Sequence, residues 1–232
     1  MHVSAIIVAA GEGRRIGGRV SKTFLLIAGR PLVLRTLDRF FSTRSIEKVI
    51  LVVAEQELRY MQELIQSDPN LSHRSWVLQA GGASRQESVR RGLDRLEPDC
   101  EIVAIHDGAR PFVSPSLIDR CVDEAYRAGS VVIGVPVKDT IKVVSEDHWV
   151  QATPVRKALW EIQTPQVFRK EIILQAHEWG VHHAMEVTDD STLVEQTGQR
   201  VFLLEGERTN IKITVPEDLL LAEALLREGR VC

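Results

Sequence analysis

Cysteine is scarce in this chain, and what there is does not pair. Cys100, Cys121 and Cys232 are odd in number and form no Cys-x-x-Cys. That argues against a disulfide framework or a zinc site and fits a reducing cytosol, so a cytoplasmic location is expected. Long hydrophobic runs are also missing. The first apolar run, 3–10, has no cationic segment before it and is too short for a signal peptide or a membrane span; no transit-peptide composition precedes it. Nor does charge of one sign dominate: 29 Lys and Arg against 32 Asp and Glu leave a net −3. The field of the whole molecule therefore offers nothing for nucleic acid or a membrane, neither is expected as a partner, and any basic function must be local. Internal repeats and low-complexity tracts are absent. What remains, 44% hydrophobic and 26% charged residues, is the composition of an ordinary globule. A length of 232 residues suits one α/β domain or a domain with a small extension.

The apolar runs that are present alternate with helical patterns. "VSAIIVAA" (3–10), "KVILVVA" (48–54), "WVLQA" (76–80), "EIVAIHD" (101–107) and "SVVIGVPV" (130–137) read as strands. They are nearly continuous rather than alternating, as in a parallel sheet covered on both faces. Amphipathic segments lie between them near 31–41, 55–67, 84–96 and 115–128, and the alternation predicts a doubly wound sheet. "SRQE" (84–87) reads as a capping box, with Ser84 as cap and Glu87 reaching back; "TVPE" (214–217) reads as another, with Pro216 tolerated in a first turn. The alternation breaks between about 138 and 166. There, β-branched stretches flank the turn-like "SEDH", which predicts a hairpin projecting from the sheet. Val143, Val144, Trp149 and Trp160 need burial, an isolated hairpin supplies little of it, and a partner subunit is the natural cover.

Directly after the first run comes "AAGEGRRIGGRVSKTF" (9–24), with four glycines, three arginines and a lysine. This is poor helix and poor strand, and clustered positive charge repels, so an anion is the expected guest. Two familiar phosphate loops fail by spacing. Placing the P-loop lysine on Lys22 puts Ile16 and Ser21 where glycines belong, and the dinucleotide fingerprint that starts at Gly11 and Gly13 finds Ile16 in third place. The loop reads instead as glycines that let backbone N–H groups approach phosphates, with Arg14, Arg15, Arg19 and Lys22 supplying charge.

In an open parallel sheet, ligands bind past the C-terminal strand ends. That gathers three loops, 10–22, 80–88 and 107–111. Gly81 and Gly82 permit a flat ligand to come close, and Ser88 adds a small hydroxyl. Asp107 has no neighbouring carboxylate for a two-metal pair but can hold one Mg²⁺, an ion that typically takes only one or two protein carboxylates. His106 reads as a packed strand residue; His177, His182 and His183 lack metal spacing and read as surface residues. Lys212, between Ile211 and Ile213, would point to the sheet face opposite theirs, where it snorkels or meets an anion.

The ordered set "AAGEGRR", "SKTF", "GGASRQESV", "HDGARPF", "VKDTIK", "QTPQVF", "VTDD" and "NIKITVPEDL" closely resembles the 2-C-methyl-D-erythritol 4-phosphate cytidylyltransferases of the non-mevalonate isoprenoid pathway, over about residues 3–226. The resemblance implies a mostly parallel, Rossmann-like nucleotidyltransferase sheet, one domain over 1–232 with an arm insertion at about 138–160, and a homodimer in which the arms swap. It implies that the phosphate of methylerythritol phosphate attacks the α-phosphorus of CTP, releasing pyrophosphate, with Mg²⁺ or another divalent cation as cofactor. Ala9, Ala10 and Gly11 would line the nucleotide; Arg15 and Lys22 would stabilise transition-state charge; Gly81, Gly82 and Ser88 would read the cytosine; Asp107 would hold the metal and Gly108 would lie beside the ribose. Arg110, Thr140, Arg156, Thr188 and Lys212 would form the methylerythritol phosphate pocket, some of them reaching across the dimer. The attacking group is already an anion, which accounts for the missing catalytic histidine or carboxylate pair. Relatives often carry Asp after the two glycines, where this chain has Ala83. Ribitol 5-phosphate cytidylyltransferase shares the chemistry, but tends to Ala-Gly-Gly in the first loop and Ser-Asp near the late acid, where this chain has Ala9-Ala10-Gly11 and Thr188-Asp189. The failed glycine spacing and cationic first loop argue against an NAD-dependent reductase. A nucleotide-sensing module would bind CTP without releasing pyrophosphate.

Overall fold

The computed structural model describes residues 2–11 and 22–231. The near-continuous apolar runs form strands: β1 (His2–Val8), β4 (Lys48–Val53), β5 (Trp76–Ala80), β6 (Cys100–Asp107) and β7 (Ser130–Pro136). Two short pairs, β2 (Leu26–Ile27) with β3 (Arg30–Pro31) and β8 (Val143–Val144) with β9 (Val150–Ala152), are separate antiparallel ribbons. With β10 (Trp160–Arg169) and β11 (Phe202–Glu205) the main strands make one seven-stranded sheet, in the order β11-β7-β10-β6-β1-β4-β5. β1 runs parallel to β4 and β6, and β4 to β5. Only β10 runs against its neighbours, antiparallel to both β6 and β7, while β11 is parallel to β7.

Successive residues of the central strands feed two cores. Ala5, Ile7, Val49, Leu51, Ile102 and Ala104 face α1 (Leu32–Phe41), α2 (Leu58–Ser67) and α4 (Pro115–Ala128). Ile6, Ile50, Val52, Val103 and Ile105 face α3 (Arg85–Leu93), α5 (Lys170–His182) and α6 (Asp190–Gln196). Ile6, Ile7, Ile50 and Leu51 are all 0% exposed, and full burial of each side chain is worth roughly 1.5–3 kcal/mol. This double burial is why the strands read as unbroken apolar runs. A third cluster of Ile27, Leu32, Phe112, Ile213 and Ala222 lies under α7 (Pro216–Arg227).

Helix starts differ in detail from the sequence expectation. Ser84 does cap α3, accepting the Glu87 N–H at 3.1 Å, but the Glu87 carboxylate reaches one residue further back, to the Ala83 N–H at 2.8 Å. At α7 the acid that turns back is Asp218, not Glu217. Its Oδ2 accepts from the Thr214 N–H, the Thr214 hydroxyl and the Val215 N–H.

The expected hairpin is present but shorter than its segment. β8 and β9 pair across a turn in which the Ser145 N–H donates to the Trp149 carbonyl at 2.9 Å. Residues 160–166, read from sequence only as the end of the break in the alternation, belong to β10 in the middle of the main sheet. Trp160 faces Pro136 there and is half-buried. Proline, glutamines and a threonine hid this strand, because its polar side chains are satisfied by specific partners rather than by water. The ribbon itself is bare: Val144 is 52% exposed, Trp149 73% and Val150 60%.

Candidate active site

Three loops leave the C-terminal strand ends and are stitched to one another through the backbone. The Ala9 N–H donates to the Val52 carbonyl at 2.7 Å, Gly81 to Val53 at 2.8 Å and Gly108 to Val8 at 2.8 Å. The approach is so close that a Cβ on Gly81 would stand 2.4 Å from that of Ala10, and one on Gly108 3.0 Å from that of Ala9. Small residues here let adjacent strand ends open into a single cavity of about 790 Å³. Ala9, Ala10, Gly11, Gly81, Gly82, Ser88, Asp107 and Gly108 all line it, as does Lys22. Arg15 lies outside the described residues. Ser88 is buried and already engaged: its hydroxyl donates to the Ser84 carbonyl and accepts the Gly82 N–H. It shapes the glycine loop from within.

A second cavity of about 420 Å³ adjoins the first. Arg110, Thr188 and Lys212 line it, and Arg85, Asp107 and Lys212 line both cavities. Its polar lining residues Thr164 and Gln166 were not singled out by sequence reasoning, and Asp189 only as a family discriminator, although "QTPQ" and "VTDD" pointed at their segments. Arg85 was also missed, hidden inside a stretch that reads as a helix cap. Thr140 and Arg156 line neither cavity of their own chain; both are exposed, and Arg156 donates to the Lys138 carbonyl at 2.9 Å.

Asp107 is the hub. Its Oδ1 accepts from Arg85 Nε at 3.1 Å, its Oδ2 lies 2.7 Å from Lys212 Nζ, and Arg110 Nε stands 3.9 Å away. Burial alone would raise this carboxyl, but Arg85 and Lys212, with Arg110, outweigh it and hold the group far below the usual carboxylate range. Lys212 thus meets an anion, as one of its two expected readings had it, but from a loop rather than a strand. Burial likewise pushes His106 down to about 4, so the ring is neutral. Its nitrogens face the Thr164 hydroxyl at 3.1 Å and the Arg110 carbonyl at 3.0 Å. His106 is the packed strand residue its position implied. His177 is not on the surface as expected: it is 2% exposed and hydrogen-bonds Asp190 at 3.2 Å. His182 and His183 are exposed.

The IspD family model, described as 2-C-methyl-D-erythritol 4-phosphate cytidylyltransferase, matches residues 3–228. The chain belongs to the 2-C-methyl-D-erythritol 4-phosphate cytidylyltransferase family. It is 45% identical to the protein of that name from Caldanaerobacter subterraneus subsp. tengcongensis, over 98% of this chain and 100% of the relative. It is 44% identical to that from Desulforamulus reducens, over 97% and 96%. Its fold superposes on the crystal structure of 4-diphosphocytidyl-2C-methyl-D-erythritol synthase from Anaerococcus prevotii with a TM-score of 0.86, at 33% identity over 97% of this chain and 98% of that one. The cytidylyltransferase from Thermus thermophilus gives a TM-score of 0.79 at 35% identity, over 98% and 100%. The expected α/β nucleotidyltransferase fold, with a mostly parallel sheet, is therefore the fold of this cytidylyltransferase family member. Among its described residues no helix is long and apolar enough to cross a membrane.

Proposed function

We propose that the protein transfers CMP from CTP to 2-C-methyl-D-erythritol 4-phosphate, giving 4-diphosphocytidyl-2-C-methyl-D-erythritol and pyrophosphate for isoprenoid precursors. The observation that carries this is the shared rim: a glycine-and-alanine cavity and a cation-bearing cavity meet at Arg85, Asp107 and Lys212. The first suits a nucleotide held by backbone groups. The second suits a smaller polyol phosphate, with Arg110 and Lys212 toward its phosphate and Thr188 toward its hydroxyls. A phosphate oxygen of the polyol attacks the α-phosphorus in line, the bond from that phosphorus to the bridging oxygen breaks, and pyrophosphate leaves. The nucleophile arrives ionised, so position and charge neutralisation are the whole task. Stabilising the charge that develops on the phosphates is the role we assign to Lys22 and, by family resemblance, to Arg15.

A divalent cation fits this site as a guest of the phosphates. Among the described residues no three His, Cys, Asp or Glu side chains gather to hold a metal, and Asp107 presents a single carboxylate to both cavities, within what Mg²⁺ typically asks of a protein. When bound it would neutralise phosphate charge beside Asp107. We also read the chain as one domain over 1–232, working in the cytoplasm as a homodimer. The exposure of Trp149, Val150 and Val155 supports an arm that embraces a second copy and brings Thr140 and Arg156 to the partner's second cavity. The test is pyrophosphate release from CTP with methylerythritol phosphate against ribitol 5-phosphate. Turnover with the first substrate is expected; turnover with ribitol phosphate alone would replace the substrate, and none with either would overturn the reading.

A further inference from the structure

The first turn of α3 stands between the two cavities and is tied to both. Arg85 sends Nε to Asp107 Oδ1 and Nη1 to Asp190 Oδ2, at 3.1 and 2.8 Å. Asp190 is 1% exposed and its other oxygen faces His177 Nε2. The neighbouring Gln86 donates to the Met185 carbonyl and accepts the Val187 N–H, immediately ahead of Thr188. On the far side of Asp107, Oδ2 holds the Lys212 ammonium at 2.7 Å. Lys212 is 40% exposed at its side chain. An ammonium on a four-carbon stem does not fix its own position; here its place is set by a carboxylate, and that carboxylate by a guanidinium.

We infer that Arg85 is a positioning residue for the transfer, setting the Asp107 carboxylate and through it the Lys212 ammonium at the junction of the two cavities. This rests on the reading that Lys212 receives the second substrate's phosphate. A planar guanidinium reaches two carboxylates in fixed directions, which a single ammonium cannot do. Arg85 also neutralises buried Asp190, so simple removal would leave an unpaired buried charge and threaten the fold. The two roles separate in a double variant. Arg85→Gln with Asp190→Asn removes the buried charge pair together, keeps an amide beside His177, and leaves Asp107 without its guanidinium. The expected result is a melting temperature near the parent's and a kcat/KM for methylerythritol phosphate lower by about 10- to 100-fold, as when a group behind a working ligand is lost, with a smaller change in CTP Kd by calorimetry. Recovery of both melting temperature and turnover would make Arg85 structural only and overturn the inference. If the double variant does not fold, Arg85→Lys decides: a kcat/KM for methylerythritol phosphate reduced by more than any change in CTP Kd supports the role, and parental turnover refutes it. A parent protein that releases no pyrophosphate with either polyol phosphate would bring down the functional reading, and this inference with it; an active parent with a fully active Arg85→Lys would bring down the inference alone.

Discussion

The two cavities share Arg85, Asp107 and Lys212 but are walled by different means. The first is made of backbone: Ala9, Ala10, Gly81 and Gly108 bring strand ends together so tightly that a methyl group is excluded at Gly81. The second is made of side chains held in mutual bonds, with Gln166 Nε2 on Asp189 Oδ2 at 2.6 Å, Arg85 on Asp107 and Asp190, and Lys212 on Asp107. A backbone wall recognises shape and responds to added volume. A wall of paired charges recognises an anion and responds to lost charge or to protons. On the proposed function, the division would let one protein hold two anionic substrates side by side without confusing them.

The largest expected effect sharpens that boundary. Lys22 lines only the first cavity, yet its proposed task is charge that appears during transfer. Lys22→Ala should lower kcat by roughly 10²–10³-fold, as losing one preorganised electrostatic group does; near-native kcat with only a raised KM for CTP would assign it to binding. Next comes the arm. Deleting residues 142–152 should give monomers by light scattering with little turnover but intact CTP binding, since the described lining of the first cavity lies outside the arm. A dimeric, fully active deletion would break the comparison. Lys212→Ala should cost about 10- to 100-fold in kcat/KM for the polyol phosphate, in the range of one charged hydrogen bond, with CTP affinity measured alone near native. An equal loss in both would merge the two cavities into one. Gly81→Ala should do the reverse, weakening CTP by about tenfold, since overpacking a tight contact costs roughly 1–3 kcal/mol.

The smallest effect concerns protons. His106 has its folded pKa depressed to about 4, against about 6.5 unfolded. Between those values the unfolded chain binds the extra proton, so stability is present above 6.5 and is lost as pH falls toward 4. Urea unfolding should show roughly 1 kcal/mol of this loss between pH 7 and 5.5, absent in His106→Gln. Equal pH dependence in the variant would place the sensitivity elsewhere.

Legibility in the sequence followed the same division. Strands buried on both faces, such as Ile6-Ile7 and Ile50-Leu51, announce themselves because nothing but apolar side chains survives there. The glycine loops were legible because glycine clusters have few other uses beside a strand. β10 was not, since Gln163, Thr164 and Gln166 look like loop residues until their partners are known: the Glu207 carbonyl, the Asp107 N–H and the N-terminal amides of Asp190 and Ser191. Arg85 and His177 were missed for the same reason. Arg85 is half-buried and His177 buried, each against a carboxylate distant in sequence, and local pattern carries no record of that meeting.

The pairing of Pro136 with Trp160, and the bond from the Val137 N–H to the Leu159 carbonyl at 3.1 Å, give the arm a simple topological status. β7 and β10 are adjacent and antiparallel, so everything between them is the loop of one long hairpin. Closing a loop of that length instead of a four-residue turn costs only about 1.5 kcal/mol of chain entropy, because the cost grows with the logarithm of length. The sheet therefore places almost no constraint on what the arm contains. On the proposed reading the constraints on the arm come instead from Thr140, Arg156 and the surface it covers, so its length can vary around them while the strands that frame both cavities stay where they are.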